Sequence, residues 1–297
     1  MYNFLIETLG SENKILKNEP LKNHTTFRTG GNAKYVLLPE TNDEILKLVN
    51  YFKENSVKFY VFGNGSNILA PDEGYDGVII KLGKNFSEIK VNDNLITACA
   101  GATLAKIFRA SYENSLSGFE FASGIPGTLG GAVKMNAGAY GGEIKDVVIS
   151  TKYLSNDGNI SERKGDEQGF SYRHSNFSDD EVILSAVIKL CHSQKDLIKE
   201  KSDDLNSRRR EKQPLEYPSA GSTFKRPEGY FAAKLIDDCG LRGKRIGGAM
   251  VSEKHCGFII NYDNATSGDI LNLIDFVKQT VYKKTGVMLE EEVKLLK

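Results

Sequence analysis

The chain has 297 residues, with 39 basic against 39 acidic side chains and a 40% hydrophobic share. That balance excludes the one-signed field that recruits nucleic acid or an anionic membrane surface, and the length points to two or three domains with real cores. No apolar run approaches the ~20 residues of a spanning helix, and the start, MYNFLIETLGSENK, lacks the basic head and long apolar stretch of a secretion signal. A cytoplasmic protein without nucleic-acid or membrane partners is expected. Cys99, Cys191, Cys239 and Cys256 stand far apart with no CxxC pair, and no histidine has metal-ligand spacing. Reduced, mostly buried thiols and no metal are expected.

In chain order, residues 35–69 read as strand, helix, strand and loop, a βαβ-like unit. Thr41 and Glu44 have capping-box spacing, and Ile45, Leu48, Val49 and Phe52 share one helical face. GVIIKLG (77–83) adds a strand. Residues 95–116 read as a strand, a small-residue turn and a helix from about Thr103 to Glu113. After a glycine-rich run, DVVISTKYLS and EVILSAVIKL alternate with period two around a DG turn, which predicts antiparallel strands. Residues 196–212 form a charged helix ending before Pro214. The last hundred residues predict a helix stopped by Gly240, two short strands, a long helix with Ser267 as N-cap and Gly286 at its end, and a final strand, VMLEEEVKLL. The fold class is α+β with three lobes, divided as 1–83, 84–198 and 199–297.

Two stretches carry glycine where side chains would be expected. GNGSNIL (63–69) follows a strand and offers a nest of main-chain N–H groups suited to phosphate oxygens. It lacks the third glycine and the following helix of a dinucleotide fingerprint, and taken alone it fits an ordinary tight turn slightly better. SGIPGTLGGA (123–132) has Pro126 where a helix can begin, and NAGAYGGE (136–143) continues the small-residue character. Two neutral glycine loops suit a long ligand with a central diphosphate, such as FAD; close packing of a helix on a sheet is the competing explanation. Three further signals are weak singly: Arg173 in GFSYRHSNF, Ser222 in PSAGSTFKRP, and the acids of GVMLEEEV. In a regular strand Glu290 and Glu292 share one face and Glu291 takes the other. No GxSxG elbow surrounds Ser222, which argues against a hydrolase nucleophile.

In this order the motifs are specific. GNGSNIL, SGIPGTLGGAVKMNAGAYGGE, YRHSNF, PSAGSTFKRP, KLIDDCGLRGKRIGGAMVSEKHCGFIIN and GVMLEEEV span nearly the whole chain, which resembles the UDP-N-acetylenolpyruvoylglucosamine reductases, the MurB family of flavoenzymes. The resemblance implies a PCMH-type FAD-binding module of two lobes and a third, substrate-binding lobe whose last strand returns to the active site. It implies that NADPH reduces non-covalently bound FAD, and that the enolpyruvyl ether of a UDP-sugar is then reduced to UDP-N-acetylmuramate, a cell-wall precursor. Gly63, Asn64, Gly65, Ser66, Asn67 and Ile68 are expected to line FAD. So are Ala122, Ser123, Ile125, Pro126, Gly127, Thr128, Gly130 and Gly131, followed by Asn136, Ala137, Gly138 and Ala139.

By motif, the catalytic residues carried over are Arg173, Ser222 and Glu292; Leu289 and Val293 fix the register although Glu291 stands where many relatives have proline or a basic residue. An arginine near the substrate carboxylate stabilises the charge that develops when hydride reaches the β-carbon, an effect of roughly 3 kcal/mol. Glu292, if protonated, donates a hydrogen bond to the same group. The family assigns protonation of the α-carbon to the serine, which requires a relay or strong polarisation. Tyr140, Lys212, Lys225 and Lys254 are the candidate substrate contacts, Lys212 first because it precedes the Ser222 loop, with Arg209 also considered for the diphosphate. Only HSNFSDDEVILSAVIKLCHSQKD separates the YR motif from the charged helix, as in the shorter subgroup without the tyrosine loop insertion. A monomer is expected. The alternatives are another flavoprotein of the same fold, for which neither glycine loop offers a histidine or cysteine for covalent attachment, and a non-catalytic sugar-nucleotide binder.

Overall fold

The computed structural model describes residues 1–297. Its first helix, α1 (Tyr2–Leu9), stops at Gly10, whose left-handed φ of 66° turns its N–H back to the Ile6 carbonyl. In α2 (Asn42–Glu54) the Thr41–Glu44 capping box is formed, and Ile45, Leu48, Val49 and Phe52 are buried. Helix α3 (Leu104–Glu113) starts at Thr103, whose hydroxyl accepts from Lys106 N–H. The short α4 (Leu129–Lys134) follows Thr128 and begins three residues later than Pro126 marks. Helix α5 (Lys195–Lys212) is almost wholly polar, and Pro214 ends it. Helix α6 (Ala232–Asp238) is closed by the left-handed Gly240. Helix α7 (Ser267–Thr285) has Thr266, not Ser267, as its N-cap: Thr266 and Asp269 form the capping box, while the buried Ser267 hydroxyl turns to the Ala70 carbonyl. Gly286 ends it in the left-handed region.

The chain forms two units that alternate along the sequence. The first comprises residues 1–17, 35–64 and 77–208; the second comprises 18–34, 65–76 and 209–297.

In the first unit lie parts of the strands Ile15–Pro20, Asn32–Leu37, Tyr75–Lys81 and Phe59–Phe62, hydrogen-bonded in that order. Phe59–Phe62 runs parallel to Tyr75–Lys81, with Tyr60 opposite Ile79. A five-stranded antiparallel sheet follows, in the order Ile160–Lys164, Val148–Leu154, Val182–Lys189, Leu95–Cys99, Ile89–Asn92. The period-two pattern holds from Leu184 onward, where Leu184, Ala186 and Ile188 are each at most 1% exposed; Val182, Ile183 and Leu184 are buried in succession, beside a register shift against Lys152 and Tyr153. One continuous core joins α2 (Ile45, Phe52), α3 (Leu104, Ile107) and α4 (Leu129, Val133) to these strands.

In the second unit, Arg245–Ile246, Ala249–Val251 and Ile259–Asn261 form an antiparallel sheet. The apolar face of α7 (Ile270, Leu273, Ile274, Val277, Val281) packs in one core with α6, with Phe27 and Leu69 from the early segments, and with Leu289 and Val293. The expected final strand is shorter than its pattern. Only Lys294–Leu295 pairs regularly, parallel to Ile68–Leu69. Upstream, the same extended segment touches Phe224 through a single bridge at Glu291. Changing partner near Val293 prevents one continuous ladder.

Candidate active site

The glycine loops converge within the first unit. A β-carbon on Gly63 would lie 1.9 Å from Thr128 Oγ1, and Asn64 Nδ2 donates to the Pro126 carbonyl at 3.1 Å. The first loop is therefore tied directly to the second. Several glycines serve the protein's own close packing. Gly130 lies against Ala100, with 3.0 Å to a would-be β-carbon, and Gly142 lies on the Phe121 ring, with 2.7 Å. Gly131 differs: its nearest neighbour would be Thr128 Oγ1 at 3.9 Å, and the residue is exposed. Ser123, Ile125 and Gly127 are half-exposed, while Thr128 is buried. A cradle of neutral main chain with open space over Gly131 fits a flavin dinucleotide, whose diphosphate accepts hydrogen bonds from such donors.

In the second unit, Gly65 packs on the His24 carbonyl and Ile68 is buried in its short strand. Ser66 and Asn67 are half-exposed.

Arg173 sits on a built platform in the first unit. Gly138–Ala139 and Gly142–Glu143 form a hairpin, with Gly138 opposite Glu143. Its two turn residues, Tyr140 and Gly141, have φ of 53° and 87°, the signature of a type I′ turn that projects Tyr140 at the tip. Beside it, Ser171 and His174 exchange two main-chain hydrogen bonds around Tyr172 and Arg173. Arg173 has φ of 54°, a conformation that costs a non-glycine residue about 1 kcal/mol or more. Its Nη2 donates to the Gly138 carbonyl at 3.4 Å. Asn136, fully buried, ties the two turns together: its Nδ2 donates to Ser171 O at 2.9 Å and Glu143 Oε2 at 3.2 Å, while its Oδ1 accepts from Lys145 N–H at 2.9 Å. Its side chain is thereby fully engaged within the protein. Burial pushes the Glu143 carboxyl up, but Lys145 at 2.7 Å, the Asn136 amide and the Arg173 charge outweigh it and hold the carboxyl below its usual range.

Ser222 and Glu292 come together in the second unit. Gly221, with φ of 75°, turns the chain into an extended segment. Thr223 N–H donates to Gly257 O at 2.8 Å on one side, and Thr223 O accepts from Glu292 N–H at 2.8 Å on the other. Asn67 Nδ2 donates to the Glu292 carbonyl at 3.0 Å, and Lys294 N–H donates to Asn67 O at 2.9 Å. Ser222, Glu292 and the Asn67 loop thus share one hydrogen-bonded frame. The neighbouring acids are used elsewhere: Glu290 pairs with Lys225, and Glu291 pairs at 2.6 Å with Lys278 on α7.

The cationic candidates separate by environment. Lys212 is exposed at the end of α5. Lys225 is held by Glu290, Lys254 lies 3.7 Å from Glu216, and Arg209 is buried rather than a surface charge. A pocket of 540 Å³ in the second unit, bordered by Lys22, Arg28, Tyr217 and Tyr262, contains none of the residues singled out from sequence. Sequence reasoning did not assign Glu143, although it stands inside the NAGAYGGE motif, or the buried Glu120, for which no pattern gave a signal.

Comparison with known proteins identifies the family. Residues 33–163 match an FAD-binding domain family, and residues 213–296 match the C-terminal domain of UDP-N-acetylenolpyruvoylglucosamine reductase. The chain is 50% identical to the UDP-N-acetylenolpyruvoylglucosamine reductase of Clostridioides difficile (strain 630), over 100% of this chain and 97% of that protein. It is 52% identical to that of Agathobacter rectalis, over 95% of this chain and 94% of the relative. The crystal structure of the Thermus caldophilus enzyme superposes with a TM-score of 0.82 at 32% identity, covering 95% of this chain and 99% of that one. Phl p 4.0202, a glucose dehydrogenase, shares the fold alone, with a TM-score of 0.52 at 16% identity over 65% of this chain and 44% of that one. With whole-length identity at this level, and both halves matched by their own families, the chain belongs to the UDP-N-acetylenolpyruvoylglucosamine reductase (MurB) family, the FAD-dependent oxidoreductases of peptidoglycan synthesis.

Proposed function

We propose that this chain uses NADPH to reduce UDP-N-acetylglucosamine enolpyruvate to UDP-N-acetylmuramate, with Arg173, Ser222 and Glu292 as its catalytic residues. The observation that carries this reading is the bond from Glu292 N–H to the Thr223 carbonyl, which sets the acid beside the serine segment. FAD, held at the converging glycine loops and by the residues around Asn67, supplies the hydride-transfer chemistry when bound.

The chain's residues supply the rest. Arg173 binds the substrate carboxylate and carries part of the negative charge that builds there as the β-carbon gains hydride. Glu292, in its neutral form, donates a hydrogen bond to the same carboxylate; a second negative charge in a desolvated site favours that form. Ser222 Oγ gives its proton to the α-carbon and is reprotonated from solvent or a relay. Lys212, exposed at the end of a helix and just before the Ser222 loop, contacts the diphosphate. Lys225 and Lys254 give up their carboxylate partners to do so. Tyr140, at its hairpin tip, lies against the flavin or the substrate.

This reading keeps the division 1–83, 84–198 and 199–297, with two lobes for FAD and the third for the sugar nucleotide. It places the protein in the cytoplasm, as a monomer; no helix is long and apolar enough to cross a membrane.

The test separates the half-reactions. Anaerobic NADPH should bleach the flavin of the Ser222→Ala variant at the wild-type rate, while reoxidation by the enolpyruvyl substrate should slow by about 10²–10⁴-fold. Equal rates in both halves would remove Ser222 as the proton donor. A wild-type flavin that bleaches and ignores the sugar nucleotide would overturn the substrate assignment.

A further inference from the structure

We infer that Glu143 is a positioning residue for Arg173, holding its guanidinium on the Gly138–Glu143 strand pair so that it meets the substrate carboxylate in one orientation. The inference rests on Arg173 having that role.

Three observations lead here. First, Arg173 occupies a backbone conformation natural to glycine, with φ of 54° in a two-residue turn. Turn propensity does not explain an arginine there; a requirement on the guanidinium does. Second, Arg173 Nη2 bonds to the Gly138 carbonyl, and Gly138 is the cross-strand partner of Glu143. The neutral carbonyl fixes where the guanidinium lies, and the carboxylate on the paired strand supplies the charge that holds it. Third, the carboxylate is itself pinned. Asn136 Nδ2 and Lys145 Nζ both bond to Glu143 Oε2, at 3.2 and 2.7 Å. The same Asn136 amide grips Ser171 O, at the foot of the Arg173 turn, so carboxylate and turn share one fastening.

The charge balance matters. Lys145 and Arg173 are the cations that act on Glu143, and Asp146 Oδ2 accepts from Glu143 N–H at 2.7 Å, so two cations stand against two carboxylates before substrate arrives. Because Lys145 draws on the Glu143 carboxylate, Glu143 restrains Arg173 without neutralising it. An unrestrained arginine would spread over several rotamers, and catalytic electrostatics depend on a donor that does not reorganise.

The experiment is stopped-flow reduction and reoxidation of the flavin-loaded enzyme. In Glu143→Gln, reduction by NADPH should be unchanged, and reoxidation by the enolpyruvyl substrate should slow about tenfold. The substrate concentration giving half the maximal rate should not rise, because the variant is locally more positive. A purely structural lesion would lower flavin content and both half-reactions together. In an Arg173→Lys background the Glu143→Gln change should add almost nothing, since its target is gone. Reoxidation of Glu143→Gln within about twofold of wild type, or a loss that simply multiplies with Arg173→Lys, overturns the inference. Should Glu143→Gln shed its flavin, Glu143→Asp carries the test: with the charge kept, it should retain flavin and reoxidise within about threefold of wild type, and a greater loss overturns the inference. If Arg173→Lys alone reoxidises at the wild-type rate, the role of Arg173 falls instead, with its readout distinct from that of Glu143.

Discussion

Replacing Gly63 by alanine tests whether the two glycine loops form one cofactor cradle. The new β-carbon would sit 1.9 Å from Thr128 Oγ1, 2.8 Å from its Cγ2 and 2.9 Å from its Cβ. Thr128, the N-cap residue of α4, is 3% exposed, so its side chain has little room to retreat. Reaching ordinary 3.4 Å contact requires the loops to part by about 1.5 Å, a forced shift in a packed region that costs about 1–3 kcal/mol. That parting stretches the Asn64–Pro126 hydrogen bond. The free protein relaxes by opening, and binding FAD must close it again. The affinity for FAD should therefore fall about 5- to 150-fold, read by titrating FAD into flavin-stripped protein and following its fluorescence. Adding Thr128→Ala removes Oγ1 and Cγ2, leaves only the contact at 2.9 Å, and should recover most of the affinity. A Gly63→Ala protein that holds FAD as tightly as wild type would refute the reasoning, as would a double variant no better than the single one.

Gly131→Ala should separate cofactor from packing in the opposite sense. Space is open there and the residue is helical, so the flavin-free protein should gain about 0.5–1 kcal/mol in urea unfolding while FAD binding weakens; unchanged FAD affinity would mean the flavin does not approach Gly131. Arg173→Gly should relieve the left-handed backbone and raise flavin-free stability by about 1 kcal/mol, while reoxidation by substrate collapses; a destabilised variant would show that the guanidinium holds the fold rather than the chemistry. Glu120 is buried, and although burial pushes its carboxyl up, the Ser117 hydroxyl, the Gly118 N–H and Lys201 outweigh it and hold the carboxyl below its ordinary 4.5. The unfolded chain then binds more protons, so this contribution is complete above about pH 4.5 and is lost as pH falls through the lower folded value. Glu120→Gln should cost about 1–3 kcal/mol at neutral pH and flatten the acid limb of urea stability below about pH 4.5; an unaltered slope there would assign that limb to other groups.

What was legible in the sequence is what local chemistry decides. Thr41 and Glu44 cap α2 because the box needs only two side chains three residues apart. The apolar face of α2 is buried as its spacing predicts. Where two neighbouring residues compete for one role, the pattern was insufficient. Thr266 and Ser267 are both capping residues, and the choice fell to Thr266 because Ser267 is needed by Ala70, a contact between residues far apart in the chain. The acids at 290–292 looked like a charged strand, yet two of them pair with Lys225 and Lys278, partners no periodicity reveals. The glycine loops were recognisable as places where something approaches the main chain. For Gly63 and Gly142 that something is the protein itself, Thr128 and Phe121. The left-handed turns at Tyr140 and Arg173 were not readable, because neither residue is of a type that favours them.

The alternation of the two units along the chain has a consequence for biosynthesis. Phe27 and Leu69 belong to a core whose other members, from Ala220 to Val293, leave the ribosome far later. At about 5–20 residues per second, the wait between residue 76 and residue 293 is on the order of 10–40 s. Until residue 220 and its successors emerge, these early side chains lack most of the partners of their own core. Asn67 waits for Glu292 and Lys294 in the same way, so its loop is not braced until those residues have been made. Nascent chains stalled between residues 76 and 219 therefore present to holding chaperones an early apolar segment that lacks its later core partners.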